Sequence, residues 1–178
     1  MTFDLRQVSS FKFHFSHLKM FTLAFNETRT YLWSAVFILC NLVLPQVCHL
    51  IPQGGVMLAP LSFVIMAGAY HFGWKPALLA AALSPLVNHV ATGMPAWGVL
   101  QVMTVKLIIL ALVAGLAAQH FRKATLPILA GVVMAAEVLG GLGELALTGG
   151  IAATIADFTI GWPGILLQIL GTYFICKR

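Results

Sequence analysis

Six apolar segments joined by short polar loops constrain the fold of this chain more than any other feature of its sequence. They lie at about 31–48, 55–72, 76–93, 97–119, 125–147 and 159–176. Each is close to the roughly 20 residues that a helix needs to cross the hydrocarbon core of a bilayer. Only 8% of the residues are charged, against about 25% in a soluble domain. The pattern predicts an all-α integral membrane protein, a bundle of about six transmembrane helices.

The positions of the basic residues predict how this bundle is oriented. Nine of the ten Lys and Arg residues lie before the first segment, after the second or fourth, or at the end of the chain. Because cytoplasmic loops carry an excess of Lys and Arg, both termini are expected in the cytoplasm. The expected organisation is a membrane-surface segment over residues 1–30 and a six-helix transmembrane domain over residues 31–178. Little chain remains for a soluble domain, which argues against ATP hydrolysis or nucleic-acid binding within it.

Two polar loops, residues 45–55 and 84–95, interrupt the apolar sequence on the same predicted face, the outer one. These loops, together with Trp97 two residues beyond the second one, supply imidazole, carboxamide, thioether and indole side chains. The residues are His49, Gln53, Asn88, His89, Met94 and Trp97. Neutral imidazole and carboxamide groups can match the donors and acceptors of a heterocyclic ligand. The alternative interpretation, interfacial histidines beside an aromatic belt at the membrane surface, stays open.

Lys106 is the most costly residue to place, because it lies near the middle of the fourth segment. A lysine at that depth costs roughly 2.5–3.5 kcal/mol on insertion scales, so it is expected to face the bundle interior. Glu137 is expected at a similar depth, with Glu144 two turns further out on the same helix face. Three interpretations remain open: a structural Lys106–Glu137 pair, a charged contact with the carboxylate or phosphate of a ligand, or a proton relay.

Motifs for catalysis or for a bound cofactor are absent from the sequence. It contains no P-loop, GxSxG or HExxH pattern, and its three cysteines form no CxxC pair. We therefore predict no catalytic residues, metal or cofactor. His49 and His89 nevertheless keep open a small membrane enzyme or a haem-binding electron carrier. A structural subunit of a larger complex, with Lys106 and Glu137 purely architectural, is a third possibility.

Three short stretches resemble a known family. They are Gly55–Ser62, Ala67–Pro76, and Leu83–Leu86 continuing to Thr92–Pro95. Together they resemble the substrate-binding S components of energy-coupling factor (ECF) transporters, the ABC-type vitamin importers of prokaryotes. The resemblance covers about residues 45–120 in motif and about 30–176 in hydropathy.

The resemblance implies a non-catalytic binding subunit in the cytoplasmic membrane of a prokaryote, surrounded by lipid. It implies a transmembrane coupling subunit and two ABC ATPases as partners, and a vitamin-like small molecule as substrate. The family's pocket corresponds here to the region of His49, Gln53, Asn88, His89, Met94 and Trp97. Many relatives carry a glutamate where this chain has Lys106, so an anionic ligand is expected. The first helix lacks the family's AxxxA docking motif, and Ala35–Leu39 is its nearest match.

Overall fold

The computed structural model describes residues 25–48, 50, 54, 58–121, 123–150, 155 and 159–176. These ranges contain helices and no β-strand, which confirms the all-α class predicted from the sequence. The expected segment over residues 1–30 falls largely outside the described residues. Within these ranges, six helices have 13 or more residues: α1 Thr28–Cys48, α2 Pro60–Phe72, α3 Trp74–Thr92, α4 Trp97–Phe121, α5 Leu126–Thr148 and α6 Trp162–Cys176.

The helices form an up-and-down bundle, and contacts between particular residues fix its register. Residues early in α1 meet residues early in α3, since the Ser34 hydroxyl lies 3.2 Å from the Pro76 carbonyl oxygen. The start of α3 also meets the end of α4, because a Cβ on Gly115 would touch Trp74. One end of the bundle, here called proximal, therefore holds Thr28, Gly73, Phe121 and Cys176. The other end, called distal, holds Cys48, Gly93, Gly149 and Trp162.

Two of the helix boundaries follow directly from glycine and proline. Gly73 has φ +89° and separates α2 from α3, at the break expected between the second and third apolar segments. Pro60 was expected inside a helix over 55–72, but it is the first residue of α2. Proline has no N–H to donate and its φ suits the first helical turn, so it starts a helix more readily than it continues one. Pro85 does lie inside a helix, α3.

The tightest packing lies in the proximal half of the bundle. Ile65, Met66, Ala77, Ala111 and Leu129 are almost wholly inaccessible there, and they join four different helices into one apolar core. Alanine and glycine allow these helices to approach closely, as small residues do in membrane bundles. The distal half is not filled in this way, which leaves room for a cavity.

Length and hydropathy mark three of the helices as candidate membrane spans: α1, α4 and α5. The apolar helices α2 and α6 have only 13 and 15 residues, or about 20 Å, against a hydrocarbon thickness of about 30 Å. Large apolar side chains cover the outside of the bundle, among them Leu32, Leu39, Val43, Leu116 and Phe174. Such a surface matches lipid better than water, and the three long helices indicate a multi-pass membrane protein.

Candidate functional site

A cavity of about 860 Å³ occupies the distal half of the bundle and receives residues from all six helices. Met94, Pro95 and Ala96, in the α3–α4 loop, lie at its distal end, here called the mouth, while Leu110 and Ala136 lie furthest toward the proximal core. Its position follows from the two short helices, because α2 and α6 contribute their first turns to the wall. A cavity of this volume is in the range that small-molecule sites occupy.

Most of the cavity wall is apolar, with Val99, Val102, Met103, Leu107 and Ile165 among its residues. The polar and charged side chains come from all six helices, and they are Gln46, Ser62, Asn88, Thr92, Lys106, Glu137, Glu144 and Gln168. An apolar wall with a few polar groups is the usual composition of a site that binds a small organic molecule.

Lys106 and Glu144 form an ion pair across the α4–α5 interface, with 2.5 Å between Nζ and Oε2. A Cβ on Gly140 would lie 3.1 Å from the Lys106 Cγ, so the backbone of Lys106 is level with Gly140. Helical side chains lean toward the N-terminus of their own helix, which for α4 is the distal end. That lean carries the Lys106 ammonium to Glu144, one turn distal of Gly140.

Glu137, the partner expected for Lys106 from helix depth, lies one turn proximal of Gly140. It also lines the cavity. The structure thus brings together the three charged residues that the sequence singled out. The position of the Lys106 ammonium shows that Glu144 is a direct partner of Lys106. Counting residues from the ends of the apolar segments did not predict this pair.

Asn88 belongs both to the cavity wall and to a buried hydrogen-bond network that joins α1 to α3. Its amide nitrogen donates to the carbonyl oxygens of Asn41, at 3.0 Å, and of Ser84, at 2.9 Å. The Asn41 amide in turn donates to the Ser84 hydroxyl at 3.0 Å. Because both of its N–H bonds are used, Asn88 can offer only its carbonyl oxygen to the cavity.

His89 and Trp97 lie beside the cavity and contribute nothing to its wall. The Nδ1 of His89 is 2.8 Å from the Pro95 carbonyl oxygen, so this nitrogen carries the proton and donates. The ring meets the Trp97 indole edge-on, with 5.6 Å between centroids. This contact holds the α3–α4 loop and so positions Met94 at the mouth. His49 and Gln53 lie outside the described residues.

Gln168 is the principal wall residue that the sequence analysis missed. Its side chain is 1% exposed, and its Oε1 has no hydrogen-bond partner among the described residues. A buried polar atom without a partner costs about 1–3 kcal/mol. The signal was a single glutamine inside the sixth apolar segment.

Metal ligation has no obvious site in the described part of the chain, where no three His, Cys, Asp or Glu side chains come together. All three cysteines are free thiols. No family model matches the chain, and comparisons with curated proteins and with solved structures give no match either.

Proposed function

We propose that this chain is the membrane-embedded substrate-binding subunit of an importer for a small vitamin-like molecule. The distal cavity of about 860 Å³, with its apolar wall and inward polar groups, is the observation that carries the proposal. It holds Asn88, Met94, Lys106, Glu137 and Glu144, all expected in a ligand site from the sequence. A bundle that only had to pack would be more stable with this space filled.

The rest of the transport system is assigned to other chains. The motif resemblance over residues 45–120 supports an ECF-type S component, which binds its substrate without converting it. A transmembrane coupling subunit and two ABC ATPases would then supply the energy. The bias of Lys and Arg toward one end supports an orientation with both termini in the cytoplasm and the cavity facing outward. The resemblance alone supports placing the chain in the cytoplasmic membrane of a prokaryote.

Native mass spectrometry of the purified full chain tests the binding function. We expect a retained small molecule in the unaltered protein, and its loss from Ala136→Phe, because Ala136 lines the cavity. Ala135→Phe is the matched control, since its neighbouring side chain is exposed. Met103→Trp provides a second way to fill the same space if Ala136→Phe does not fold.

Two results would count against the proposal. Retention of the same molecule by both cavity-filling variants would place binding elsewhere on the chain. A purified protein that holds no small molecule, and whose absorption spectrum shows a Soret band, would favour the haem-binding alternative.

A further inference from the structure

The charges that the described residues bring to the cavity wall do not balance. Among the described residues, the wall contains one cationic side chain, Lys106, and two carboxylates, Glu137 and Glu144. One positive and two negative formal charges leave a sum of −1, whichever carboxylate the ammonium contacts at a given moment. In addition, the ammonium already lies against Glu144. An anionic ligand would have to separate this pair in a poorly solvated site, which is costly.

Helix dipoles do not reverse this sign. The N-termini of α2, α4 and α6 and the C-termini of α1, α3 and α5 all lie at the distal end. Each N-terminus is equivalent to about half a positive charge and each C-terminus to about half a negative one. Three of each cancel to first order, so the charged side chains decide which ligand the cavity favours.

Two uncharged polar side chains of the wall have their donors already used within the protein. Both N–H bonds of Asn88 are used, and the Thr92 hydroxyl donates to the Asn88 backbone carbonyl oxygen at 2.8 Å. Asn88 and Thr92, like the carboxylates, can therefore offer oxygen acceptors to whatever occupies the cavity.

We infer that the cavity selects a small organic cation whose charged end carries N–H donors and whose remaining part is apolar. The surplus charge of the Glu137 and Glu144 carboxylates balances the cation, and their oxygens accept its hydrogen bonds. The apolar body packs on side chains such as Met103 and Leu107. The inference rests on the proposed binding function and specifies its ligand class, in place of the anionic end that Lys106 alone suggested.

Three planar probes of nearly equal size test the inference on the purified full chain: cationic benzamidine, neutral benzamide and anionic benzoate. Equilibrium dialysis at pH 7 gives each dissociation constant. Benzamidine should bind at least about tenfold more tightly than benzoate, since hydrogen bonds to charged groups contribute about 1.5–3 kcal/mol. Glu137→Gln should weaken benzamidine by about tenfold and leave benzamide nearly unchanged.

Glu27→Gln is the matched control, because it removes the same charge at an exposed proximal position. It should change none of the three constants. Glu144→Gln is a second variant, should Glu137→Gln fail to fold, and it should also weaken benzamidine because it removes the same surplus charge from the wall.

The results separate this inference from the proposed function. Preferred binding of benzoate, or equal binding of all three probes, would overturn the cation preference while leaving a working ligand site. If no probe binds, the charge of the co-purified molecule decides: a cation with N–H groups supports the inference and an anion overturns it. Failure of every probe together with the absence of any retained molecule would refute both.

Discussion

At the scale of single residues, the ion pair between Lys106 and Glu144 joins two helices and also lies in the wall of the cavity. The Lys106 side chain is 21% exposed and that of Glu144 8%, and both also face the cavity. A pair buried to this degree contributes little net stability as a pair, whereas one member left alone is costly.

We therefore expect Lys106→Met to destabilise the protein by about 3 kcal/mol, because the carboxylates lose their only positive neighbour in the described wall. The double variant Lys106→Met/Glu144→Leu should recover most of that loss. Equilibrium unfolding in mixed micelles measures both changes. If the effects of the two substitutions simply add, the residues are not coupled.

Thr172 differs from the paired Lys106 and Glu144, because its polar group is buried without a hydrogen-bond partner among the described residues. It is fully buried in α6, one turn proximal of Gln168, and its hydroxyl has no partner among the described residues. Valine has the same shape, so Thr172→Val should be neutral or stabilising by up to about 1 kcal/mol. A fall of several degrees in melting temperature would instead reveal a hydrogen bond of this hydroxyl, for example to buried water.

At the scale of helices, close approach depends on particular glycines and not on glycine content. A Cβ on Gly115 of α4 would lie 2.7 Å from the Trp74 Cα, whereas one on Gly131 of α5 would meet nothing within 4 Å. The first contact involves backbone, which cannot move aside without shifting the whole start of α3.

Gly115→Ala should accordingly destabilise the bundle by about 1–3 kcal/mol through overpacking. Gly131→Ala, the matched control, should be neutral or stabilising by up to about 1 kcal/mol, since alanine favours the helical state. Thermal unfolding of the two variants side by side makes the comparison. Equal melting temperatures would show that α3 and α4 are not held together at this point.

At the scale of the whole molecule, the proposed orientation places the two ends of the bundle on opposite sides of a membrane. Lys75 and Lys123 lie at the proximal end and Gly150 at the distal end. A cysteine at position 150 should react with an impermeant maleimide added outside intact cells. A cysteine at position 123 should react only after lysis, with the native cysteines replaced in both variants. The reverse pattern would contradict the positive-inside assignment.

Much of this architecture can be predicted from hydropathy, because each apolar segment indicates a helix independently of the other segments. The break at Gly73 was likewise visible, whereas the start of α2 at Pro60 was not. Five expected site residues line the cavity, because loops and buried charges stand out in an apolar sequence. The pairing of Lys106 with Glu144 could not be predicted in this way. It depends on how α4 and α5 are aligned and on the direction in which the Lys106 side chain points along its helix. The place of Gln168 in the cavity wall depends on how α6 packs against the other helices, which the sequence does not state.

The groups that hold the cavity together and the groups that set its charge lie on different helices. Asn41, Ser84 and Asn88 fix α1 against α3, while Lys106, Glu137 and Glu144 belong to α4 and α5. A change at position 137 alone would alter the sum of charges without touching that scaffold. If the proposed function holds, a single substitution could change the charge of the preferred ligand in a related chain and leave the helix bundle intact. The ligand preference of such a site can evolve readily.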